Sequence, residues 1–179
     1  MSPVSTALQT ASQSARADRA WAVLRNVLDP EVPALSIVDL GIVRGVDDGP
    51  DGALAIVLTP TYSGCPATEA IEAAALAAID AAGLGPAHVV LQRAPAWSSD
   101  WISDDGRRKL RDYGIAPPAH LATDAGNTRP LRFVPRASPP CPHCGSTRTE
   151  RLSAFGSTAC KALHRCVACR EPFEHFKPI

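Results

Sequence analysis

The 179-residue sequence has few aromatic residues, no net charge and no long apolar run, and each of these shortages excludes a class of protein. Aromatic residues make up 5% of the chain, which is too few for a surface that stacks nucleic-acid bases. No uninterrupted apolar stretch approaches the ~18 residues of a transmembrane helix. The N-terminal segment lacks a basic start followed by an apolar block. We therefore predict no secretory signal, a cytoplasmic location, and six cysteines that are reduced or bound to metal.

The balance of 18 basic and 18 acidic residues conceals a division along the chain. Residues 1–105 carry 13 acidic and 5 basic side chains, a net charge of −8, whereas residues 106–179 carry 5 acidic and 13 basic ones, a net charge of +8. A zero total argues against a nucleic-acid-binding protein or a polybasic membrane protein. The basic half nevertheless keeps docking onto an acidic partner open, so we predict two modules with different partners.

Composition along the chain predicts four segments and an α+β fold. We predict a disordered tail over 1–16, a small α/β domain with a mixed sheet over 17–114, a Pro-rich linker over 115–140 and a cysteine-rich ribbon over 141–179. The elements predicted within the second segment are a helix around 21–28, a hairpin of strands 36–46 and 53–59, a helix over 67–82, a strand over 88–92 and a short helix over 103–111.

Two tight cysteine pairs predict a metal site in the C-terminal segment. CPHC and CVAC each place two thiols on one turn, and the 21 residues between them can form strands that bring the turns together. The predicted ligands are Cys141, Cys144, Cys166 and Cys169. Zinc is favoured over iron, although iron in a four-thiolate site also suits this spacing. His143, His164 and His175 are interpreted as ordinary strand or surface histidines, because four cysteines already complete a tetrahedral site.

Two further cysteines and one carboxylate are candidates for chemistry. Cys65 precedes an Ala-rich helix, with Pro66 suited to the first helical position, so the helix dipole would favour its thiolate. Cys160 adjoins Lys161, and a cationic neighbour also favours thiolate. Either cysteine could instead be a small buried core residue. Asp39 lies in an otherwise apolar segment, where it either serves the site or caps a turn at Gly41.

The residues that carry these candidates resemble a known family. DPEVPALSIVDLGIVRGV and LTPTYSGCP resemble the DUF59, or MIP18-like, domain of iron–sulfur targeting and assembly factors, over about residues 18–92. PAWSSDWISDDGRRKLRDYGIAPP together with CPHCGST, FGSTACKALHRC and CVAC resembles the PaaD family of bacterial phenylacetate degradation, over about residues 18–177. This resemblance implies a MIP18-like domain followed by a four-cysteine zinc ribbon.

The resemblance also implies a function. PaaD-like proteins are accessory D components of the multicomponent phenylacetyl-CoA epoxidase, and they are expected to help mature its metal centres without independent catalysis. By this resemblance Cys65 binds or transfers a transient iron–sulfur cluster, and Asp39 lies near it. One thiolate cannot hold a cluster, so the other ligands would come from a second protomer, from Cys160 or from the client. We therefore expect a homodimer, or a complex with an oxygenase or reductase subunit as client.

Two other functions remain open on the sequence alone. The protein could be an integral subunit of the epoxidase or use Cys65 as a nucleophile, although no Glu-x-x-His pair for a di-iron site is present. It could also be a zinc-ribbon docking or nucleic-acid-binding module, and we expect protein docking because aromatic residues are scarce. On the favoured interpretation, the acidic module handles the iron chemistry and the basic module docks the client.

Overall fold

A computed structural model describes residues 15–49, 51–62, 64–120 and 138–179 of the chain. The protein divides between Trp97 and Ser98 into two compact units. Both units combine helices with a mixed β-sheet, which confirms the predicted α+β class. Among the described helices, none is long and apolar enough to cross a membrane.

The first unit has a three-stranded sheet in the order β1-β2-β3. Its elements are α1 (15–24), β1 (Val43–Asp48), β2 (Leu54–Leu58), α2 (Thr68–Ala81) and β3 (Ala87–Leu91). β1 and β2 form the predicted antiparallel hairpin, and β3 lies parallel to β2. Parallel neighbours need a crossover connection, which α2 supplies.

Residues with helical and strand spacing form the core of the first unit. Along β2, Leu54, Ile56 and Leu58 are at most 2% exposed, as period-2 alternation requires. On α2 the buried positions recur every four residues, at Ile71, Ala75 and Ile79, so one face of this Ala-rich helix packs inward. The helix predicted over 67–82 is therefore present with nearly the same bounds.

The start of the first unit differs from the sequence prediction. Residues 1–14 of the predicted tail lie outside the described residues, but residues 15 and 16 already belong to α1. The Arg16 guanidinium donates hydrogen bonds to the carbonyls of Leu84, Pro86 and Gly52 and pairs with Asp48 at 2.9 Å. A single long side chain thus ties α1 to the ends of the sheet strands.

The strand predicted over 36–46 begins only at Val43. Residues 37–41 form turns, and Gly41 has a φ of 67°, in the left-handed region that a β-branched strand residue rarely adopts. The upstream DPEVP segment is also a closed loop. Its Asp29 carboxylate accepts hydrogen bonds from the N–H groups of Glu31 and Val32, and its base is clasped by a bridge between Leu28 and Ser36.

The second unit contains a four-stranded sheet in the order β4-β7-β6-β5. Its elements are a 3-10 turn (Ser99–Trp101), α3 (Asp104–Asp112), β4 (Ile115–Ala116), β5 (Thr149–Ser153), β6 (Lys161–Cys166) and β7 (Pro172–Phe176). β5, β6 and β7 pair antiparallel, and β4 lies parallel to β7. The sequence prediction places α3 in the first domain and 115–140 in a linker. The compact units instead assign α3 to the second unit, and β4 joins its sheet.

Helix α3 uses part of the basic cluster for folding. The hydroxyl of Ser103 accepts from the N–H of Gly106 and caps the helix, as predicted. Arg107 is 7% exposed and donates hydrogen bonds to the carbonyls of Ser99 and Pro118. Burial lowers the pKa of its guanidinium, against the opposing effect of the Asp100 carboxylate. Arg107 is therefore a structural residue and is not available for docking a partner.

A buried ion pair joins β6 to β7 in the second unit. Lys161 is 3% exposed, and its Nζ lies 2.8 Å from Glu174 Oε2. The Glu174 carboxylate also accepts from the N–H of Ser157. Burial alone would raise the pKa of Glu174, but the hydrogen bonds from Lys161 and Ser157 outweigh it and hold the pKa below its ordinary value. The pair therefore stabilises the fold at neutral pH and loses that effect as pH falls through the lowered pKa.

We predict that Glu174→Ala destabilises the second unit by about 2 to 3 kcal/mol, because it removes the carboxylate from the buried Lys161 ammonium. Urea unfolding of the metal-loaded full chain, followed by circular dichroism, measures the change. The matched control is Glu150→Ala, which removes the partner of the exposed Arg165 and should cost under about 1 kcal/mol. Equal losses for the two variants would contradict a structural role for the buried pair.

Candidate functional site

Four cysteine sulfurs converge at one end of the second sheet. Cys141 and Cys144 flank the turn that precedes β5, Cys166 ends β6, and Cys169 lies in the turn that follows. All four Sγ atoms lie within 4.8 Å of one another, with Cys141–Cys169 at 3.7 Å and Cys144–Cys166 at 3.6 Å. A tetrahedral metal with bonds of about 2.3 Å to sulfur requires S–S edges of about 3.8 Å. The geometry of this group therefore fits a four-thiolate metal site.

The backbone of each knuckle turns back through a left-handed residue. Gly145 follows the first pair with a φ of 72°, and its N–H donates to the Cys141 carbonyl. Arg170 occupies the equivalent place after the second pair with a φ of 68°. A side chain in this region costs free energy that glycine does not. The second knuckle therefore keeps the geometry of the first despite lacking its glycine.

The electrostatics of the four thiols call for a cation. The N–H of Cys169 donates to Cys166 Sγ and, against the opposing effect of desolvation, lowers the pKa of that thiol to about 6. For Cys169 the largest single influence, the N–H of Glu171, lowers the pKa. Desolvation and hydrogen bonds to the three other thiols together raise it to about 12. One thiolate thus forms readily, and its charge opposes the next, until a metal balances them.

One side of the centre is buried and the other faces solvent. Cys141 and Cys166 are at most 2% exposed and form a small apolar cluster with Ala116 and Phe173, whereas Cys144 and Cys169 are exposed. The three histidines near the ribbon lie outside the group of potential metal ligands that the described residues form. His164 is buried, stacks on Phe173 and meets the edge of the His175 ring. His143 is exposed, in the first knuckle.

Cys160 lies at the opposite end of β6 from Cys166. The six-residue separation corresponds to about 20 Å along a strand. Cys160 is 4% exposed, and its Sγ lies 3.0 Å from the hydroxyl of Thr158. The cationic neighbour expected from the sequence, Lys161, directs its Nζ to Glu174. Cys160 is thus a buried thiol that does not join the four-cysteine group.

Cys65 lies in the loop between β2 and α2. Its N–H donates to the Tyr62 carbonyl at 3.3 Å and its own carbonyl accepts from Thr68 at 3.2 Å, so the loop is a compact turn. Helix α2 begins at Thr68 with Ala67 as its N-cap residue, and Pro66 therefore precedes the helix instead of opening it. The Cys65 side chain is half-buried, and Gly64 beside it has a φ of 88°. The thiol is accessible from solvent at the N-terminal side of α2.

Asp39 holds the turn that leads into β1. Its Oδ2 accepts from both the N–H and the hydroxyl of Ser36, at 3.0 and 2.9 Å, and the Asp39 N–H donates back to that hydroxyl. These reciprocal bonds account for a carboxylate in an apolar segment, and they match the turn-capping alternative. The carboxylate is half-buried, so it is also reachable from the loops nearby.

The sheet brings the Asp39 turn and the Cys65 loop to the same end. Val43 at the start of β1 pairs with Leu58 at the end of β2, and the N–H of Thr59 donates to the Ile42 carbonyl at 2.8 Å. The turn before β1 and the loop after β2 therefore leave from one edge. We call this edge, with the turn 36–42 and the loop 59–67, the thiol edge.

Two residues of the thiol edge escape prediction from the sequence. The hydroxyl of Thr59 is buried and finds no hydrogen-bond partner among the described residues. The indole N–H of Trp97 donates to the Leu40 carbonyl at 3.0 Å and so fixes the Asp39 turn from a distant part of the chain. A threonine at the end of a buried strand is a possible signal, whereas the tryptophan contact is non-local and leaves no local pattern.

Comparisons with known proteins assign both parts of the chain. The profile of the "Iron-sulfur cluster assembly protein" family matches residues 17–89, and that of the "PaaD zinc beta ribbon domain" matches residues 128–177. A solved structure, the domain of unknown function DUF59 from Bacillus anthracis, superposes with a TM-score of 0.52 and 27% identity. It covers 56% of this chain and 96% of its own, which confirms the MIP18-like fold of the N-terminal part.

Two curated relatives extend this result. A Porphyromonas gingivalis protein named "Fe-S protein maturation auxiliary factor" is 33% identical over 49% of this chain and 84% of its own length. A protein of Escherichia coli (strain K12), named as the D component of a putative 1,2-phenylacetyl-CoA epoxidase, is 49% identical over 89% of this chain and 91% of its own length. This identity across nearly the whole length, together with the two domain matches, shows that the chain belongs to the PaaD family of phenylacetyl-CoA epoxidase D components.

Proposed function

We propose that this protein is a maturation factor for the metal centres of a phenylacetyl-CoA epoxidase, without independent catalysis, and that Cys65 handles the iron–sulfur cargo. The observation that carries the proposal is the accessible Cys65 thiol on the thiol edge of a domain that matches iron–sulfur assembly proteins. A buried thiol would be inert toward a client, whereas a half-exposed one at a loop can exchange ligands with it.

The cargo needs ligands from more than one source. An iron–sulfur cluster takes about four ligands, and the Cys65 loop supplies one thiolate. The burial of Cys160 beside Thr158 makes it a poor second ligand. We therefore favour a cluster shared between two protomers, or between one protomer and its client. Transfer is then a ligand exchange in which client thiolates replace Cys65, with no net oxidation or reduction.

Asp39 acts in this proposal as a positioning residue. Its carboxylate bonds to Ser36 set the turn that faces the Cys65 loop across the thiol edge, and the Trp97 indole supports that turn at Leu40. A negative charge there also suits the binding of ferrous or ferric iron, which prefers anionic ligands. We propose no direct ligation by Asp39.

The ribbon is proposed to hold zinc as a structural metal. The S–S distances of 3.6 and 3.7 Å match a tetrahedral four-thiolate site, and the half-exposed position of the centre is compatible with a stable zinc site of this type. Zinc bound by Cys141, Cys144, Cys166 and Cys169 would join the two knuckles. It would supply no chemistry beyond that of a crosslink.

The partners and location follow from the same proposal. The clients are the oxygenase or reductase subunits of the epoxidase, because the E. coli relative carries the name of an epoxidase component. The protein would act in the cytoplasm as a homodimer that shares the cargo between two Cys65 thiols. Binding of nucleic acid or membrane has no role in this proposal.

We predict that Cys65→Ser abolishes cluster loading, because a serine hydroxyl at neutral pH is a far weaker iron ligand than a thiolate. Anaerobic reconstitution with iron and sulfide, followed by absorption spectroscopy, measures the loading. Activation of separately purified apo-epoxidase measures the transfer. The matched control is Cys160→Ser, which changes the same atom in the second unit and should load and transfer as the wild type does.

Equal loading and equal activation by the Cys65→Ser and wild-type proteins would remove Cys65 from the mechanism. An epoxidase that reaches full turnover after maturation without this protein, and contains none of it, would contradict the maturation role. An epoxidase that needs one copy of the protein bound in every turnover would instead favour the integral-subunit alternative.

We predict that Cys144→Ser lowers the zinc content and speeds zinc loss to a chelator, since three thiolates hold zinc less tightly than four. Elemental analysis and chelator absorbance measure both effects, with Cys160→Ser as the control that keeps wild-type values. In the wild type, zinc is retained above the lowered pKa of Cys166, about 6, and is released as pH falls through that value, because protons then compete for the thiolate. Unchanged zinc content in Cys144→Ser would contradict the proposed ligand set.

A further inference from the structure

Strand β5 is the open edge of the second sheet. Among the described strands it pairs with β6 alone. The Val167 N–H donates to the Arg148 carbonyl at 2.8 Å, which makes residues 148 and 167 a hydrogen-bonded pair in the antiparallel register. Hydrogen-bonded and non-hydrogen-bonded pairs alternate along such a ladder. The carbonyl of Thr149 and both main-chain groups of Arg151 therefore point away from β6, toward the open side.

Apolar side chains are exposed along this strand and beyond its end. Leu152 is 51% exposed and Phe155 is 65% exposed, and Val167 at the metal end of the ladder is 49% exposed. A single exposed apolar side chain is ordinary on a protein surface, but several along one edge mark an interaction site. We call residues 148–155 the ribbon edge.

The ribbon edge carries positive charge that the fold does not neutralise. Within the described part of the chain, the ion pair of this strand joins Glu150 to Arg165 on β6. Arg148 and Arg151 are exposed and enter no ion pair among the described residues. The basic residues of α3, by contrast, are partly used: Arg108 and Lys109 both pair with Asp105. The excess charge of the ribbon is therefore concentrated beside an unpaired strand.

We propose that the ribbon edge binds an extended, acidic segment of a client protein by β-strand addition. The client strand would exchange main-chain hydrogen bonds with Arg151, place carboxylates against Arg148 and Arg151, and rest apolar side chains on Leu152 and Phe155. This inference rests on the proposed function for the existence of a client. It adds the surface and the chemistry by which that client is recognised.

Two other occupants fit the ribbon edge less well. A second copy paired two-fold through β5 would set like charges of Arg151 or Arg148 opposite one another, which is unfavourable. A nucleic acid would satisfy the charge but has no strand to pair with the main-chain groups of β5. The ring of Phe155 also already carries the Lys177 ammonium at 4.6 Å from its centre, so one face is closed to a base. An acidic polypeptide satisfies charge, main chain and apolar surface together.

The charge component is tested with a double reversal. Binding of the zinc-loaded full chain to purified epoxidase oxygenase and reductase subunits is measured by biolayer interferometry at low and high salt. Arg148→Glu with Arg151→Glu should weaken binding about tenfold or more, because two attractions become repulsions. The matched control, Arg108→Glu with Arg111→Glu on α3, makes the same change of net charge and should stay within about twofold. Equal effects of the two double variants would overturn the proposal.

The main-chain component is tested at Arg151 alone. Arg151→Ala and Arg151→Pro both remove the charge, but only proline removes the N–H that faces the open side. We expect the proline variant to bind about fivefold more weakly than the alanine variant, the value of one hydrogen bond. Equal affinities would overturn strand addition. If the proline variant loses zinc, amide exchange of the wild type decides instead: protection of the Arg151 N–H in the complex supports the proposal, and unchanged exchange overturns it.

The outcomes separate this inference from the proposed function. If the wild type matures the epoxidase and the Arg148→Glu, Arg151→Glu variant binds and matures it equally well, the docking inference fails and the function stands. If Cys65→Ser matures the epoxidase fully while the client still binds at the ribbon edge, the function fails and the docking stands. Wild-type protein that binds neither the oxygenase nor the reductase overturns the docking inference. So does a double reversal whose only effect is loss of binding to duplex DNA or loss of self-association in sedimentation.

Discussion

The second unit depends on charge balance among four cysteine sulfurs held within 4.8 Å of one another. Its buried apolar cluster contains Ala116, Cys141, Cys166 and Phe173, and two of these four are themselves metal ligands. So small a core cannot offset the entropy of ordering four strands and two knuckles. A cation that balances the thiolates therefore stabilises the sheet, the open β5 edge and the buried Lys161–Glu174 pair together.

The first unit solves a different problem, which is to present one thiol without burying it. Pairing of β1 with β2 fixes the Asp39 turn and the Cys65 loop at one end of the sheet, and the parallel β3 brings a further segment to that end, where Trp97 bonds to Leu40. The loop itself contains little secondary structure. Its position is thus set by the rigid strands below it, as is common for reactive residues on loops.

Local patterns predict part of this structure, and non-local contacts account for the rest. The two cysteine pairs and helix α2 are predictable because spacing and propensity act within a few residues. The sequence around Asp39 predicts a strand where the structure has a turn, because its apolar, β-branched composition outweighs the single signal of Gly41. The burial of Arg107 is invisible in a count of charges, since it depends on the carbonyls of Ser99 and Pro118. A two-residue strand such as β4 has no periodicity to detect.

The membership of β4 in the second sheet has a consequence for how such a ribbon can be moved between proteins. The strand lies before residues 121–137, well upstream of the first cysteine pair, and it pairs with β7 near the C-terminus. A gene fusion that begins at the first knuckle would transfer every metal ligand and still leave one side of β7 without its neighbour, and Ala116 out of the buried cluster. The transferable unit is therefore the whole of 98–179, and engineered swaps of the ribbon should take their junction after Trp97.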